Sequence, residues 1–292
     1  MAPGIHLVHK PIGPTSSAVL ETVRGDSPLK MCHAGALDPF AEGLLLVLAG
    51  EATRLFNWLH GVPKVYVAEV VWGVETDTGD PGGAVVAEGD ARGLTVPALD
   101  AALAAMVGWR EQVPPATSNK RVDGERAYLR AHRGEEVVLP ASRVYVHAAR
   151  WLRHSLDAPE PRSTAEFIVA GGTYVRSLAR DLGRAMGARA HLAALRRTRI
   201  GPWDDPGPDH KPPRIQGERL LPWAPSRRLT ESERRAVRLE APVPRGSLEP
   251  ASWPLPVGFP PPPVRLVHGG RLIGLADEAE VLTVRVSFGR GL

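Results

Sequence analysis

The stretch His33-Ala-Gly-Ala-Leu-Asp38-Pro-Phe-Ala-Glu-Gly-Leu-Leu-Leu-Val-Leu48 sets one carboxylate, Asp38, between a glycine turn at Gly35 and Pro39, ahead of an apolar run from Leu44 to Leu48. A residue that precedes proline is steered away from helical backbone, so Asp38 is biased to an extended or turn conformation. The apolar run is short and unbroken, as a buried strand requires. An acid on a stiff loop beside such a strand is suited to positioning and poorly suited to packing. Alone, an Asp-Pro pair reads as an ordinary turn.

Working outward, Ile5 to Val8 is a strand candidate that runs into the turn-rich loop His9 to Ser16, and Thr15 or Ser16 can cap a helix reaching about Val23. Downstream, Gly43 to Ala49 reads as a buried strand, and Glu51 to His60 as a helix that Gly61 ends. Lys64 to Gly73 is β-rich and contains Tyr66, whose ordinary role on a strand is packing. Thr76 to Asp80 is a tight polar turn; its Asp residues lack the twelve-residue spacing of a calcium loop. Pro97 to Val107 is an amphipathic helix, and Val144 to Leu152 and Thr164 to Ala170 are strands. Gly171 and Gly172 break the second of these, Thr173 can cap, and a helix runs to about Met186 before Gly187 stops it. On that helix Tyr174, Leu178 and Leu182 share one face and Arg176, Arg180 and Arg184 another. Arg180 and Arg184 read as a solvated face. Pro202 to Arg227 reads as a linker, Pro242 to Pro263 as extended polyproline, and Val264 to Leu275 and Val281 to Phe288 as strands around turns.

Composition narrows the class. A chain of 292 residues, 43% hydrophobic and 23% charged, fits a globular protein with one large domain and a small one. Lys supplies only five of its 36 basic residues, so the base is overwhelmingly Arg. Arg forks onto phosphate and stacks on bases, which suits RNA. A GC-rich genome produces the same bias, so basicity alone leaves the partner open. The single cysteine, Cys32, excludes a disulfide framework and a four-Cys zinc site and agrees with a reducing compartment. No signal peptide and no apolar stretch of membrane-spanning length are expected, and a cytoplasmic location follows. The Gly-x4-Gly-Lys spacing of a phosphate cradle is absent.

Cys32 to Leu45 resembles the signature loop of the TruB family of tRNA pseudouridine synthases, with Cys32 where glycine is usual and Ala34 where threonine is common. Four further motifs follow the family in order. Lys10-Pro11-x-Gly-x-Thr-Ser resembles the first motif, Lys64-Val-Tyr-Val-Ala the second, Gln112 to Tyr128 the segment that covers the RNA loop, and Gly171 to Gly183 with His191 to Gly201 the remainder. The resemblance extends over roughly Ile5 to Trp203. It implies an α+β pseudouridine synthase fold, with a mixed, largely antiparallel central sheet flanked by helices and a small β-rich, PUA-like C-terminal domain. The expected division is a catalytic domain over 1–225, with the RNA-covering segment at about 112–140, and a Pro-rich tail over 226–292.

The same resemblance assigns roles. Asp38 is the catalytic residue, a carboxylate, Arg176 its ion-pair partner, and Tyr66 the ring that stacks on the target base. His33 enters the space a flipped base vacates, Leu195 lines the uracil pocket, and Tyr174 belongs with them as a substrate-binding residue. Lys120, Arg121 and Arg126 contact RNA, although a charged stretch is ordinarily a solvated face. Lys10 and Pro11 support the catalytic loop. Isomerising uridine breaks and remakes a glycosidic bond without redox change or group donor, so no cofactor and no metal are expected. A carboxylate at C1′ meets the oxocarbenium-like centre, as in glycosidases, and the nucleotide must first leave its stack. The implied substrate is uridine 55 in the T loop of tRNA, acted on by a monomer without an obligate protein partner. Two other readings stand beside it. A guide-RNA-dependent synthase of the dyskerin type shares the motifs but needs protein partners and a fuller PUA domain. A non-catalytic tRNA-binding or tRNA-folding protein would have no need of Asp38, Tyr66 and Arg176.

Overall fold

The computed structural model describes residues 2–118, 120–122, 124–135, 137–255, 259–289 and 291–292. Asn119, Asp123 and Glu136 of the RNA-covering segment, and residues 256–258 of the Pro-rich stretch, lie outside the described residues. In chain order, β1 (Gly4–Lys10) leads to α1 (Ser16–Arg24), and β2 (Met31–His33) and β3 (Glu42–Ala49) flank the loop that carries Asp38. A 3-10 turn over Gly50–Leu55 and α2 (Phe56–His60) together fill the expected helix. β4 (Lys64–Trp72), β5 (Val74–Thr76), β6 (Val85–Glu88), α3 (Val96–Ala104), β7 (Gly108–Gln112), β8 (Arg121–Val122), β9 (Glu125–Arg126), α4 (Ala127–His132), β10 (Ser142–Ser155), β11 (Arg162–Val169), α5 (Val175–Ala185) and β12 (Ala190–Ile200) follow. The chain then forms β13 (Trp203–Asp204), β14 (Arg214–Ile215), β15 (Ser226–Arg228), α6 (Glu231–Arg238), β16 (Val243–Pro244), β17 (Val264–His268), β18 (Arg271–Asp277) and β19 (Val281–Ser287).

These elements gather into two compact units. One comprises Met1–Asp38, Gly43–Val62 and Gly201–Leu292, the other Pro39–Glu42 and Pro63–Ile200. In the first, β1 pairs antiparallel with β3, Ile5 opposite Leu48, and with β14, Ile5 opposite Ile215; β2 pairs with the same end of β3 along its other edge, Cys32 opposite Leu48. The run Leu44 to Leu48 is fully buried, as its uniform hydrophobicity requires. Thr15 caps α1 by accepting from the Ala18 N–H at 3.1 Å, and Val19 and Leu20 bury that helix against Met31, Leu45 and Val47. A five-stranded sheet, β15-β17-β18-β19-β16, forms from the last part of the chain, with Val237 of α6 packed against Val264, Leu266 and Ile273.

The expected linker over Pro202 to Arg227 is instead built into the core of this unit. Trp203, Ile215, Leu220, Leu221, Trp223 and Ala224 are buried, and Trp223 meets Trp203 and Trp253 edge-on at 5.6 and 6.1 Å. The buried Arg265 guanidinium binds the turn from within, donating to Ala224 O at 2.9 Å and to Glu218 O at 2.6 Å. Its exposed side, Asp209 to Lys211, carries the polar character that suggested a linker. Helix α6 was not expected either. Its capping box, Thr230 with Glu233, is formed in both directions.

In the second unit β12, β4, β11, β10 and β7 pair antiparallel in that order. β4 is the middle of its own neighbours, so Tyr66 stands opposite Phe167 on one side and Arg197 on the other. Helix α5 packs on β12 and β4, and the hairpins β5–β6 and β8–β9 form separate two-stranded ribbons.

Candidate active site

The acid comes first. Asp38 is half-buried on the loop between β2 and β3. The loop is fastened where it leaves β2, by the Ala34 N–H donating to Leu46 O at 3.0 Å, and at Leu37, directly before the acid. There the buried Ser16 hydroxyl accepts from the Leu37 N–H at 2.8 Å and donates to Leu37 O at 2.9 Å. His33 is half-buried at the end of β2. Lys10 is fully buried, its ammonium donating to Pro11 O at 2.9 Å. These residues belong to the first unit.

The ring and the arginines belong to the second. Tyr66 is buried on β4, and its hydroxyl accepts from Arg197 Nη1 at 3.3 Å while the guanidinium lies 5.9 Å from the ring centroid. Arg197 and Lys64 are both buried in these strands. Burial, reinforced by the Arg197 charge, pushes the Lys64 ammonium down to about 7. Leu195 is buried on β12 opposite Ala68.

Arg176 sits in the first turn of α5, buried, and reaches across to the turn expected at Thr76 to Asp80. Its Nη1 donates to Thr78 O at 2.7 Å and to Thr117 Oγ1 at 2.8 Å, and lies 3.4 Å from Asp80 Oδ2. Close approach is what Gly79 provides, since a Cβ there would come within 3.2 Å of Arg176 Cβ and its φ is 72°. Tyr174 stands at the N-cap of α5. The expected Thr173 cap does not form: Tyr174 is the N-cap residue, without a side-chain cap, and the buried Gln112 side chain holds its backbone. Gln112 donates to Tyr174 O at 3.1 Å and accepts from the Tyr174 N–H at 2.8 Å.

Arg180 is not the solvated residue expected of it: it is part-buried, donates to Val113 O at 3.0 Å and pairs with Asp181. Arg184 is exposed, as expected, and its guanidinium also grips the buried Glu75. Burial pushes the Glu75 carboxyl up, but the Arg184 hydrogen bonds and the charges of Arg184 and Arg189 outweigh it and hold the carboxyl below the usual carboxylate range. Helix α5 is thereby bolted at two levels to the β5–β6 ribbon, by Arg184 at the strand and by Arg176 at the turn.

The hairpin β8–β9 turns at Gly124, φ 86°, and puts Arg121 opposite Arg126. Lys120, Arg121 and Arg126 are exposed, and an open groove beside them is lined by Arg121, Arg126, Tyr128 and Leu129. The other two bases of the segment are drawn to carboxylates. Arg133 forks onto Glu125 at 2.7 and 2.8 Å and reaches Glu135 at 2.7 Å, which Arg130 also binds at 2.9 Å.

The profile of the TruB family pseudouridylate synthase N-terminal domain matches residues 23–175, and that of the tRNA pseudouridylate synthase B C-terminal domain matches residues 176–209. The chain belongs to the TruB family. As a member it is an enzyme, an isomerase that forms pseudouridine. Among its relatives, a tRNA pseudouridine synthase B of Leifsonia xyli is 42% identical over 205 residues, 69% of this chain and 68% of that protein. One of Thermobifida fusca is 42% identical over 209 residues, 70% of this chain and 71% of that protein. Among solved structures, an H/ACA RNP bound to a substrate RNA containing 2′-deoxyuridine includes a chain of the same fold, with a TM-score of 0.67 at 20% identity over 97% of this chain and 84% of that one. The α+β pseudouridine synthase fold expected from the sequence is the fold observed.

Residue-by-residue reading missed the supports: Ser16 as a loop fastener, Thr117 and Asp80 on Arg176, Gln112 at the α5 terminus, and the buried cations Lys64 and Arg197. Charged residues inside otherwise apolar strands were the available signal for the last two.

Proposed function

We propose that this chain converts uridine 55 in the T loop of tRNA to pseudouridine. The observation that carries the reading is Asp38, a half-buried acid on a loop pinned at both Ala34 and Leu37, within a chain that follows the TruB profiles from residue 23 to residue 209. In this reading Asp38 acts at C1′ of the flipped nucleotide and Arg176 lies beside it, opposing the cost of a buried charge and orienting the carboxylate. Tyr66 stacks on the uracil, worth roughly 1–3 kcal/mol by analogy with base–aromatic stacking. Leu195 and Tyr174 line its site, and His33 enters the space the base has left. Lys120, Arg121 and Arg126 contact the RNA backbone. Residues 1–225 form the catalytic domain and 226–292 a small PUA-like tail. The protein works as a cytoplasmic monomer, without cofactor or protein partner.

The test is to incubate the pure protein with an unmodified tRNA and map pseudouridine. Modification of the T-loop uridine is expected from the parent. Asp38→Asn, which keeps size and loses charge, is expected to abolish turnover with tRNA affinity held within a few-fold. Turnover at a near-normal rate in that variant would remove Asp38 from the chemistry.

A further inference from the structure

We propose that Ser16 is a positioning residue for catalysis, holding the peptide that joins Leu37 to Asp38; this rests on Asp38 being the catalytic carboxylate. A single hydroxyl holds both polar groups of Leu37. It accepts from the N–H at 2.8 Å and donates to the carbonyl at 2.9 Å. That carbonyl and the Asp38 N–H share one peptide plane, so fixing the first fixes the second. On its other side Asp38 meets Pro39, whose ring restricts the backbone before it. The acid is therefore held from both directions, by a ring in its own loop and by a hydroxyl from another element.

The element is well suited to the task. Ser16 is the first residue of α1, a position at which serine ordinarily serves the helix end. Here Thr15 performs the capping, accepting from the Ala18 N–H, and Ser16 is released to bind outside the helix. Ser16 and Leu37 are both buried, at 3% and 5% exposure, so water does not replace the hydroxyl cheaply. The helix beneath is fixed by Val19 and Leu20 against Met31, Leu45 and Val47. Adjacent residues Thr15 and Ser16 thus do separable work: one secures the helix, the other secures the loop that carries the acid.

That separation makes the test. Ser16→Ala removes both bonds, Ser16→Cys keeps the volume with a much weaker donor and acceptor, and Thr15→Ala removes the cap while leaving Ser16 in place. Single-turnover rate at saturating tRNA, tRNA Kd and thermal midpoint are measured for each. Displacing a reacting group by about an ångström costs up to roughly 100-fold. We expect Ser16→Ala and Ser16→Cys to lose about 10- to 100-fold in rate with Kd within about twofold of the parent. Thr15→Ala is expected to lower the thermal midpoint while keeping the parental rate. Should Ser16→Ala fail to fold, Ser16→Cys carries the measurement. A rate within twofold of the parent in the folded Ser16 variants overturns the proposal, and so does an equal rate loss in Thr15→Ala, which would trace the effect to helix stability. The parent's own yield of pseudouridine tests the catalytic reading separately, because the Ser16 result is a ratio to the parent.

Discussion

Neutralising Lys120, Arg121 and Arg126 together, each to Gln, is expected to weaken tRNA binding and to flatten its salt dependence. The stretch from Lys120 to Arg133 has five basic residues, but the structure reduces the number that can meet phosphate. Arg133 is committed to Glu125 and Glu135, and Arg130 to Glu135. Arg133 in turn holds both carboxyls below the usual carboxylate range, so all three charges are offset locally. Three exposed cations remain, at and beside the tip of the β8–β9 hairpin. Each phosphate contact contributes a slope of roughly 0.7–0.9 in log affinity against log salt. Losing three removes about 2.1–2.7 from that slope. Between 50 and 200 mM salt, the parent should then lose roughly 20- to 40-fold more affinity than the variant. Filter binding or fluorescence anisotropy across that range reads it directly. The catalytic pocket recognises one uracil and cannot select among the many uridines of a tRNA. Single-turnover rate at saturating RNA should therefore change little, and an isolated T-arm stem-loop should remain a substrate. Arg133→Gln serves as the comparison, with a smaller change in slope. If the triple variant binds as tightly as the parent at every salt concentration, the hairpin is a solvated face and the RNA is held elsewhere.

Tyr66→Ala should lose far more activity than Tyr66→Phe, because stacking needs the ring and the hydroxyl contributes only a long 3.3 Å contact with Arg197; equal losses measured by pseudouridine yield would refute a stacking role. Lys64 gives a pH prediction. Its ammonium is pushed down to about 7 by burial and the Arg197 charge, well below the value of an unfolded-chain lysine, so between about pH 7 and pH 10 the unfolded state binds more protons than the folded one. Stability from this group accordingly rises with pH across that window. The thermal midpoint of the parent, taken relative to Lys64→Met, should climb from pH 7 to pH 10, and a constant difference would show that the ammonium is not depressed.

What was legible in the sequence divides by the range of the interactions involved. The buried strand after Asp38 could be read from five consecutive apolar residues, and the start of α1 from the pair Thr15-Ser16, because both are set within a few residues of chain. The capping box Thr230 to Glu233 was equally local and was obscured by the Pro-rich composition around it. The stretch 202–227 was misread for a different reason. Its burial depends on Trp253 and Arg265, which reach it from later in the chain and whose own neighbourhoods give no hint of that use. Arg180 on α5 was misread in the same way. A charge on a helix looks solvated until its surroundings are known, and the Val113 carbonyl that Arg180 meets lies 67 residues distant. The candidate site shows both regimes at once. Its proposed acid was singled out by the resemblance of the whole phrase Cys32 to Leu45, since an Asp-Pro pair alone reads as an ordinary turn. Its supports are ordinary residues, a serine, a threonine and a glutamine, whose identities are common and whose meaning lies wholly in what they touch. Motif reading thus nominates the groups proposed to meet the substrate and is blind to the residues that hold them in place, and Ser16 belongs to the second class: the sequence offered it only as an alternative to Thr15 at the helix cap.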